Sequence, residues 1–488
     1  MEREVKLSVP EGFRRPPLDG SGGAAAGAVL TRRYTTTYHD TSDLALAAWA
    51  CSLRYRSGEG WTVKLAPATL SPLIARSEHT FEGPPGEPPP EALALLAGYL
   101  RGRAVAPVAR ATTARRSQTL VDPEGRSALE VVDDTVVSLD GPGSRRLRQI
   151  EVEVREERAT DVLDGVLGRL RRAGAQVGDA RTKYEWLLAD RRPAPEVVVP
   201  TLTPDSSLGD AIRAILGRSV TKLINAEAAF RAGDDPEAIH DARVATRRLR
   251  SDLRSFAEVL EADWSGRLRD ELGWAGDALG AVRDPEVLAG RIGGDARRLD
   301  EPGVADAIVA TLLAEVAAAR STLCDIVSGQ RYLALLQGLV MAARSPVFRV
   351  PADGPATELL APAVDRAWRR LRKATREAAS DPTDAGLHRV RIRAKQARYA
   401  AESLAPLLGK AAVRFAQRAT RLQDALGEHQ DAVVAWAWLR DAAKAAEAGE
   451  AFVAGQLAGL ELEARQRARG EWPKAWKALR QVRPSTWQ

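Results

Sequence analysis

The second half of this 488-residue chain repeats itself, and that limits its fold more than any other feature. His240, Arg243, Arg247 and Arg250 recur as His388, Arg391, Lys395 and Arg398, at an offset of 148 residues. Downstream, Asp277, Leu279, Gly280 and Asp284 recur as Asp424, Leu426, Gly427 and Asp431, at an offset of 147. Upstream, Arg218 and Lys222 fall opposite Arg366 and Arg370. A register that drifts so little marks a duplication, in which each copy stacks on the other to bury an apolar face.

The period inside each copy is helical. His240, Arg243, Arg247, Arg250 and Arg254 follow one another at spacings of three and four and make one cationic stripe. One residue earlier, Ala242, Thr246, Leu249, Leu253, Phe256 and Leu260 form a mostly apolar seam, rotated by about 100°. In the second copy the seam is Val390, Ala394, Ala397, Ala401, Leu404 and Leu408. On a single helix such a stripe is most often a solvated flank. Like charges at i, i+4 cost about 0.2–0.5 kcal/mol per exposed pair, so an unbalanced stripe kept in both copies points to a polyanion that neutralises it. His240 and His388 head the two stripes, where ligand contact and a capping or core role stand as alternatives. Asp284 and Asp431 are expected to cap helices or pair with stripe arginines rather than bind metal.

The first 190 or so residues alternate with a period of two, as in Glu2–Leu7, Ser52–Arg56, Trp61–Leu65 and Gln149–Val154. Breaks at 58–60 and 122–125 separate the strands, and helices are expected at 91–101 and 160–173. Pro193, Pro195, Pro200 and Pro204 then mark a stiff, extended linker. The predicted organisation is a domain over 1–190, a linker over 191–207 and a helical domain over 208–485, with repeats at about 208–345 and 356–485. Gly20–Gly27 lacks the Gly-Lys-Ser/Thr of a phosphate-binding loop and is predicted to be a flexible loop.

Several of these strands carry charge on one face, with acids (Glu2, Glu4, Glu151, Glu153) and bases (Arg54, Arg56, Lys64) both represented. Lys6, Lys64 and Lys183 are the only lysines in the first 190 residues. A compact ammonium in an arginine-rich chain suits a place between phosphate oxygens. Strands facing each other with both signs inside would make a polar channel, the alternative being a solvated sheet face. In a channel, carboxylates would hold a hard divalent cation and bases a polyanion, a combination that suits phosphoryl transfer.

The ordered set Glu2-x-Glu4-x-Lys6, Tyr38-His39-Asp40-Thr41, Leu53-Arg54-Tyr55-Arg56 and Trp61-x-x-Lys64 resembles the CYTH family, the triphosphate tunnel metalloenzymes. Arg76-x-Glu78, Thr113-x-Arg115, Val132-Asp133, Glu151-x-Glu153 and Lys183-Tyr184 continue the series. The resemblance implies an eight-stranded antiparallel barrel forming a tunnel, with Mg²⁺ or Mn²⁺ as cofactor. By position, Lys6, Arg54, Arg56, Lys64, Arg115 and Lys183 would bind phosphates. Glu4, Glu151, Glu153 and Asp133 would hold metal, with Glu130 or Asp134 as alternatives to Asp133. Glu2 and Glu4 would orient or deprotonate the attacking water. His39, Thr80 and Arg155 depart from the family pattern.

The two His-x-x-Arg and two Leu-Gly-x-x-x-Asp motifs make residues 208–485 resemble the CHAD family, helical domains that bind inorganic polyphosphate. The basic positions implied are Arg218, Lys222, Arg243, Arg247, Arg250, Arg366, Arg370, Arg391, Lys395 and Arg398, with His240 and His388. The fold expected is α+β and multidomain: an antiparallel β-barrel tunnel followed by an all-α duplicated helical bundle.

The function expected is divalent-metal-dependent hydrolysis of inorganic tripolyphosphate or a related triphosphate, joined to polyphosphate binding. The alternatives are a non-catalytic, granule-targeting polyphosphate binder and a CYTH enzyme acting on an organic triphosphate, as thiamine triphosphatases and adenylate cyclases do. Nucleic acid is not an expected partner, because aromatic residues do not interleave with the basic stripes. The net charge of +6 allows an anionic partner without requiring one. Two distant cysteines, Cys51 and Cys324, exclude a disulfide framework and a Cys-type zinc site. The polar start and the lack of about 18 consecutive uncharged apolar residues give a cytoplasmic expectation, with polyphosphate granules as a further location.

Overall fold

Charged and apolar residues alternate along β1 (Glu2–Ser8), and its neighbours repeat the pattern until the sheet closes on itself. The computed structural model describes residues 2–10, 12–66, 74–122, 124–140, 145–156, 160–177, 181–233, 235–299 and 302–484. They divide into two compact units, Met1–Glu196 and Val197–Gln488.

In the first unit, β2 (Ala25–Ala26), β3 (Leu30–Asp40), β4 (Ser52–Arg56), β5 (Gly60–Lys64), β6 (Ile74–Arg76) and β7 (Glu78–Phe81) follow β1. Then come β8 (Ala106–Val121), β9 (Ser127–Ser138), β10 (Arg146–Val154) and β11 (Gln176–Val177), with the short helices α1 (Ala45–Ala48), α2 (Pro90–Leu95) and α3 (Ala97–Leu100) set between earlier strands. All pairings among them are antiparallel. The neighbour order runs β1-β10-β9-β8-β3-β4-β5-β7. Only Ser77 separates β6 from β7, and β6 pairs back onto β1 through Glu2–Arg76 and Glu4–Ile74. The β6–β7 run therefore acts as one bent strand and closes an eight-walled barrel, leaving those walls no free edge.

Apolar side chains lie mostly outside this barrel. Leu7, Leu129, Val131, Ile150 and Val152 pack under α4 (Thr160–Arg172) through Val162, Val166 and Leu170. Their sequence neighbours, Lys6, Glu151 and Glu153, therefore point inward. Residues 20–27 are not a plain loop. Gly22 lies so close to α4 that a Cβ there would meet Asp161 O at 2.4 Å, and Gly165 leaves matching space from the helix side. The close backbone contact, with φ of 58° at Gly22, explains the glycines.

The second unit is all-helical: α6 (Leu208–Ala232), α7 (Ala238–Ser255), α8 (Ala262–Ala296), α9 (Pro302–Ser328) and α10 (Gln330–Arg344) form the first copy. The second copy is α11 (Ala356–Ser380), α12 (Asp384–Leu408), α13 (Lys410–Ala445) and α14 (Ala448–Arg480). The duplication holds at the level of elements, since α6 and α11 begin 148 residues apart. The predicted seams are buried, from Ala242 to Leu260 and from Val390 to Leu404, while Leu408 is half-buried. Ser207 caps α6 by accepting from Asp210 N, and Val197 and Val199 of the proline-rich segment lie over Gly217.

Among the described residues, α9 is the one helix long and apolar enough to cross a membrane by length and composition, with mean hydropathy 1.5 over its best window. It buries a single seam, including Ala305, Ile308 and Leu312, against residues of α8, α13 and α14.

Candidate functional site

Inside the barrel, Glu4 of β1 pairs in register with Glu153 of β10, and Lys6 with Glu151. This register brings carboxylate oxygens of Glu4, Glu151 and Glu153 within 4.8 Å of one another, all three residues being buried. Each acid also faces a cation: Glu4 is 3.2 Å from Lys6, Glu151 is 2.8 Å from Lys183, and Glu153 is 2.9 Å from Arg155. Three buried carboxylates this close repel one another, so an oxygen-seeking divalent cation suits them by charge and by donor type.

Lys183 comes from α5 (Lys183–Leu188), which begins with a capping box between Thr182 and Glu185. Tyr184, Leu187 and Leu188 of α5 pack on the inward-facing Tyr38, Ala109, Ala111 and Val136, filling one end of the barrel. The Tyr184 hydroxyl donates to Asp40 at 2.7 Å, and its ring stacks on Tyr38. Lys183 Nζ donates to both Asp134 (2.5 Å) and Glu151 (2.8 Å), and Arg115 forks onto Asp134 at 2.9 and 2.7 Å. Burial alone would raise the Glu151 carboxyl, but Lys183, Lys6 and Arg115 together hold it well below the usual carboxylate range. At Asp134, Lys183 and Arg115 likewise outweigh burial and the neighbouring Glu151. Conversely, Glu151 and Asp134 keep Lys183 above its ordinary value despite its burial.

Further round the wall, Glu78 takes Arg54 at 3.0 Å and Lys64 at 2.6 Å, and Glu59 takes Arg56 at 2.6 Å. Arg56 also lies over the Tyr34 ring at 4.2 Å, and Arg115 approaches the same ring at 5.7 Å.

The structure corrects one metal ligand. Asp133 faces the outside of the barrel, where Arg148 holds both its oxygens at 3.0 and 2.8 Å. Asp134, one residue on, is the inward acid. The side chain of Glu2 lies outside the described residues, as does that of Arg76. Of the departures from the family pattern, His39 is buried against Trp61, Thr80 pairs with Thr62, and Arg155 bridges Glu153 and Glu130.

In the second unit, α7 and α12 cross between the copies, tied by Arg248 to Glu402 (2.6 Å) and Ser403 to Asp252 (2.9 Å). Here the two stripes converge: Arg243, Arg247 and Arg391 all repel Lys395 and, with burial as the larger cause, push its ammonium down to about 7. Arg243 forks onto Asp284 at 2.5 and 2.8 Å, and a Cβ on Gly280 would meet its guanidinium at 3.3 Å. Gly427 leaves the same room for Arg391 in the second copy. The duplicated Leu-Gly-x-x-x-Asp motif thus lets each stripe arginine lie on the next helix.

A second basic group forms around Arg254, which burial and then Arg250, Arg269, Arg393 and Arg370 hold below its ordinary value. Arg398 and Arg248 flank Tyr399 and Glu402, with Arg218 close enough to Arg248 to be lowered by it after burial. Two predicted residues are engaged elsewhere: Lys222 pairs with Asp241 (2.9 Å) and Arg366 with Glu258 (2.7 Å). His388 Nδ1 lies 2.7 Å from Gln430, whereas burial and Arg283 lower His240.

The family model for the CHAD domain matches residues 214–440. The protein Rv2226 of Mycobacterium tuberculosis is 30% identical over 98% of this chain and 96% of its own length. The chain belongs to the same family as Rv2226. In this chain a CHAD domain follows, along the sequence, an antiparallel barrel that carries the residues by which the first half resembles the CYTH family. Among solved structures, the CHAD domain of the plant Ricinus communis aligns at 27% identity and a TM-score of 0.49, over 59% of this chain and 96% of that one. HpAC1 from Hippeastrum, described with a dominant triphosphatase activity, aligns at 16% identity and a TM-score of 0.25, over 39% of this chain and 96% of that one.

Motif reading missed several participants. In the barrel unit, Tyr34 carries two guanidinium groups, a role that only its inward parity with Thr36 and Tyr38 would signal. In the CHAD unit, Arg269 and Arg393 join the group around Arg254. Both lie off the His-headed stripes, so the group they join is a product of helix packing.

Proposed function

We propose that the barrel hydrolyses a phosphoanhydride bond of inorganic tripolyphosphate or a related triphosphate with a divalent cation, and that the helical unit binds inorganic polyphosphate. The observation that carries the reading is the buried Glu4–Glu151–Glu153 triad beside a wall of inward cations. A pure anion binder gains nothing from three carboxylates that repel its ligand, whereas a metal-dependent hydrolase needs them.

A divalent ion, Mg²⁺ or Mn²⁺, held by Glu4, Glu151 and Glu153 would neutralise phosphate charge and polarise a phosphoryl oxygen. The chain's own groups supply the rest. Arg54, Arg56, Lys64, Arg115, Lys183 and Lys6 would bind the phosphates as their present acidic partners, Glu78, Glu59 and Asp134, give way. Glu4 would orient the attacking water in line with the bond. Most of the rate gain would come from positioning and charge stabilisation in a buried tunnel.

In the helical unit, Arg243, Arg247, Arg391 and Lys395 would grip successive phosphates of a longer chain. Cytoplasmic residence alongside polyphosphate follows as part of the same proposal. Phosphate release from tripolyphosphate, ATP and thiamine triphosphate, each with Mg²⁺ and with Mn²⁺, tests the reading. The expected result is turnover with tripolyphosphate the preferred substrate. Release from none of the three would remove the catalytic claim, and preference for thiamine triphosphate or ATP would move it to an organic triphosphate.

A further inference from the structure

The outer wall of the barrel carries a second basic site. The segment between β1 and β2 folds over the outward faces of β8, β9 and β10 and leaves a cleft of about 640 Å³. Arg14 and Arg15 line it from the segment, Arg116 and Gln118 from β8, and Arg148 from β10. The volume is within the range of small-molecule sites.

The charges in this cleft do not balance. Asp133, the acid that acts on Arg15, has both oxygens committed to Arg148. Asp19 stands at the rim and accepts from Ala26 N at 3.0 Å. Four guanidinium groups against these two carboxylates leave two positive charges. Arg15 Nη2 donates to Gln118 at 3.1 Å, but Arg15 Nη1 is buried without a hydrogen-bond partner among the described residues. A buried guanidinium N–H left unmade costs more than its bond would gain, so a site for an acceptor is built in. Burial, together with Arg116 and Arg148, lowers Arg15 below its ordinary value although Asp133 opposes them. An anion beside it would offset the repulsion from both arginines and favour the charged form that burial opposes.

We infer that this cleft is a second anion site, which takes a phosphate-type oxyanion: inorganic phosphate or the terminal phosphate of a short phosphate chain. Two surplus charges match a dianion, and tetrahedral oxygens can accept from several guanidinium forks at once. Phe13 and Leu18, both buried in the cleft wall, lower the local dielectric and strengthen those contacts. The site shares its strands with the tunnel. Arg116, Asp133 and Arg148 point outward next to Arg115, Asp134 and Gln149, which point inward.

Arginine modification of the full chain by phenylglyoxal, mapped by peptide mass spectrometry, tests the inference. Inorganic phosphate or tripolyphosphate should slow modification of Arg15 and Arg116 at least threefold relative to chloride at equal ionic strength. Protection by phosphate alone would identify the free ion as ligand, and protection by tripolyphosphate alone the chain end. The effect should persist in Arg54→Gln, which disables only the tunnel, so failure of the tunnel reading would not be mistaken for failure here. Arg116→Gln, which leaves the Asp133–Arg148 pair intact, should remove protection at Arg15 while Arg54 stays protected by tripolyphosphate. Chloride protecting as well as phosphate, polyglutamate protecting where phosphate does not, or unchanged protection of Arg15 in Arg116→Gln would each overturn the inference.

Discussion

Lys183, at the head of α5, places its ammonium 2.8 Å from the Glu151 carboxylate on β10, with Asp134 on its other side at 2.5 Å. One lysine thus ties the helix that fills the barrel end to the acid group at its centre. Lys183→Met should leave two buried carboxylates facing each other with less countercharge. Breaking a buried ion pair from one side costs about 3–5 kcal/mol. The unfolding transition of the barrel unit, followed by urea titration, should shift down by that order, and turnover should fall with it.

The same cluster sets a pH window. Glu151 and Asp134 have depressed carboxyl values, so their stabilisation is present above the unfolded values of 4.5 and 3.8 and is lost as pH falls through the depressed ones. Lys183 is raised, so its contribution is full below 10.5 and is lost as pH rises beyond that. The barrel should therefore hold a stability plateau between about pH 5 and 10 and unfold on the acid side. A thermal-melt series against pH checks this, and Lys183→Met should flatten the acid-side loss, because the carboxyls are then held less far below their unfolded values.

Much of this was legible in the sequence, and the misses have physical causes. The repeats, the strand alternation and the inward sets on β1, β4, β5 and β10 follow from periods of 3.6 and 2 within one element. The slip from Asp134 to Asp133 came where two acids stand side by side. Alternation guarantees that one faces in, but only the pairing of Asp134 with Gln149 and Arg115 says which. Residues 20–27 read as a loose loop because Gly22 meets α4 only after the chain has closed. Likewise, no local pattern could reveal that Lys222 and Arg366 would be held by Asp241 and Glu258.

Polyphosphate binding should take up a proton. With Lys395 pushed down to about 7 by burial and its arginine neighbours, part of the population is neutral at physiological pH. A bound polyanion restores the charge. Affinity should therefore weaken as pH rises from 7 to 9, by up to tenfold per unit, and the loss should vanish in Lys395→Gln. Calorimetric titration with long-chain polyphosphate in buffers of different ionisation enthalpy measures the proton directly. Affinity should also fall steeply with salt at every pH.

Asp252, buried between α7 and α12, is pushed up to about 7 by burial, with Arg248 and the Ser403 hydroxyl opposing. For an acid raised in the folded state, stability is greatest below its unfolded value of 3.8 and declines as pH rises towards 7. Asp252→Asn mimics the neutral form. It should raise the helical unit's stability at pH 8 by roughly 2 to 4 kcal/mol and change little at pH 4. Denaturant titrations at the two pH values check the difference.

The central claim is that the Glu4–Glu151–Glu153 triad works through a divalent cation. Phosphate release from tripolyphosphate, measured against Mg²⁺ concentration for the full chain and its Glu4→Gln variant, tests it most directly. The account predicts saturable activity that EDTA reduces to background, and a variant that keeps the parental melting profile but loses at least 100-fold in rate. Activity undiminished by EDTA, or a Glu4→Gln variant turning over at the parental rate, would contradict it.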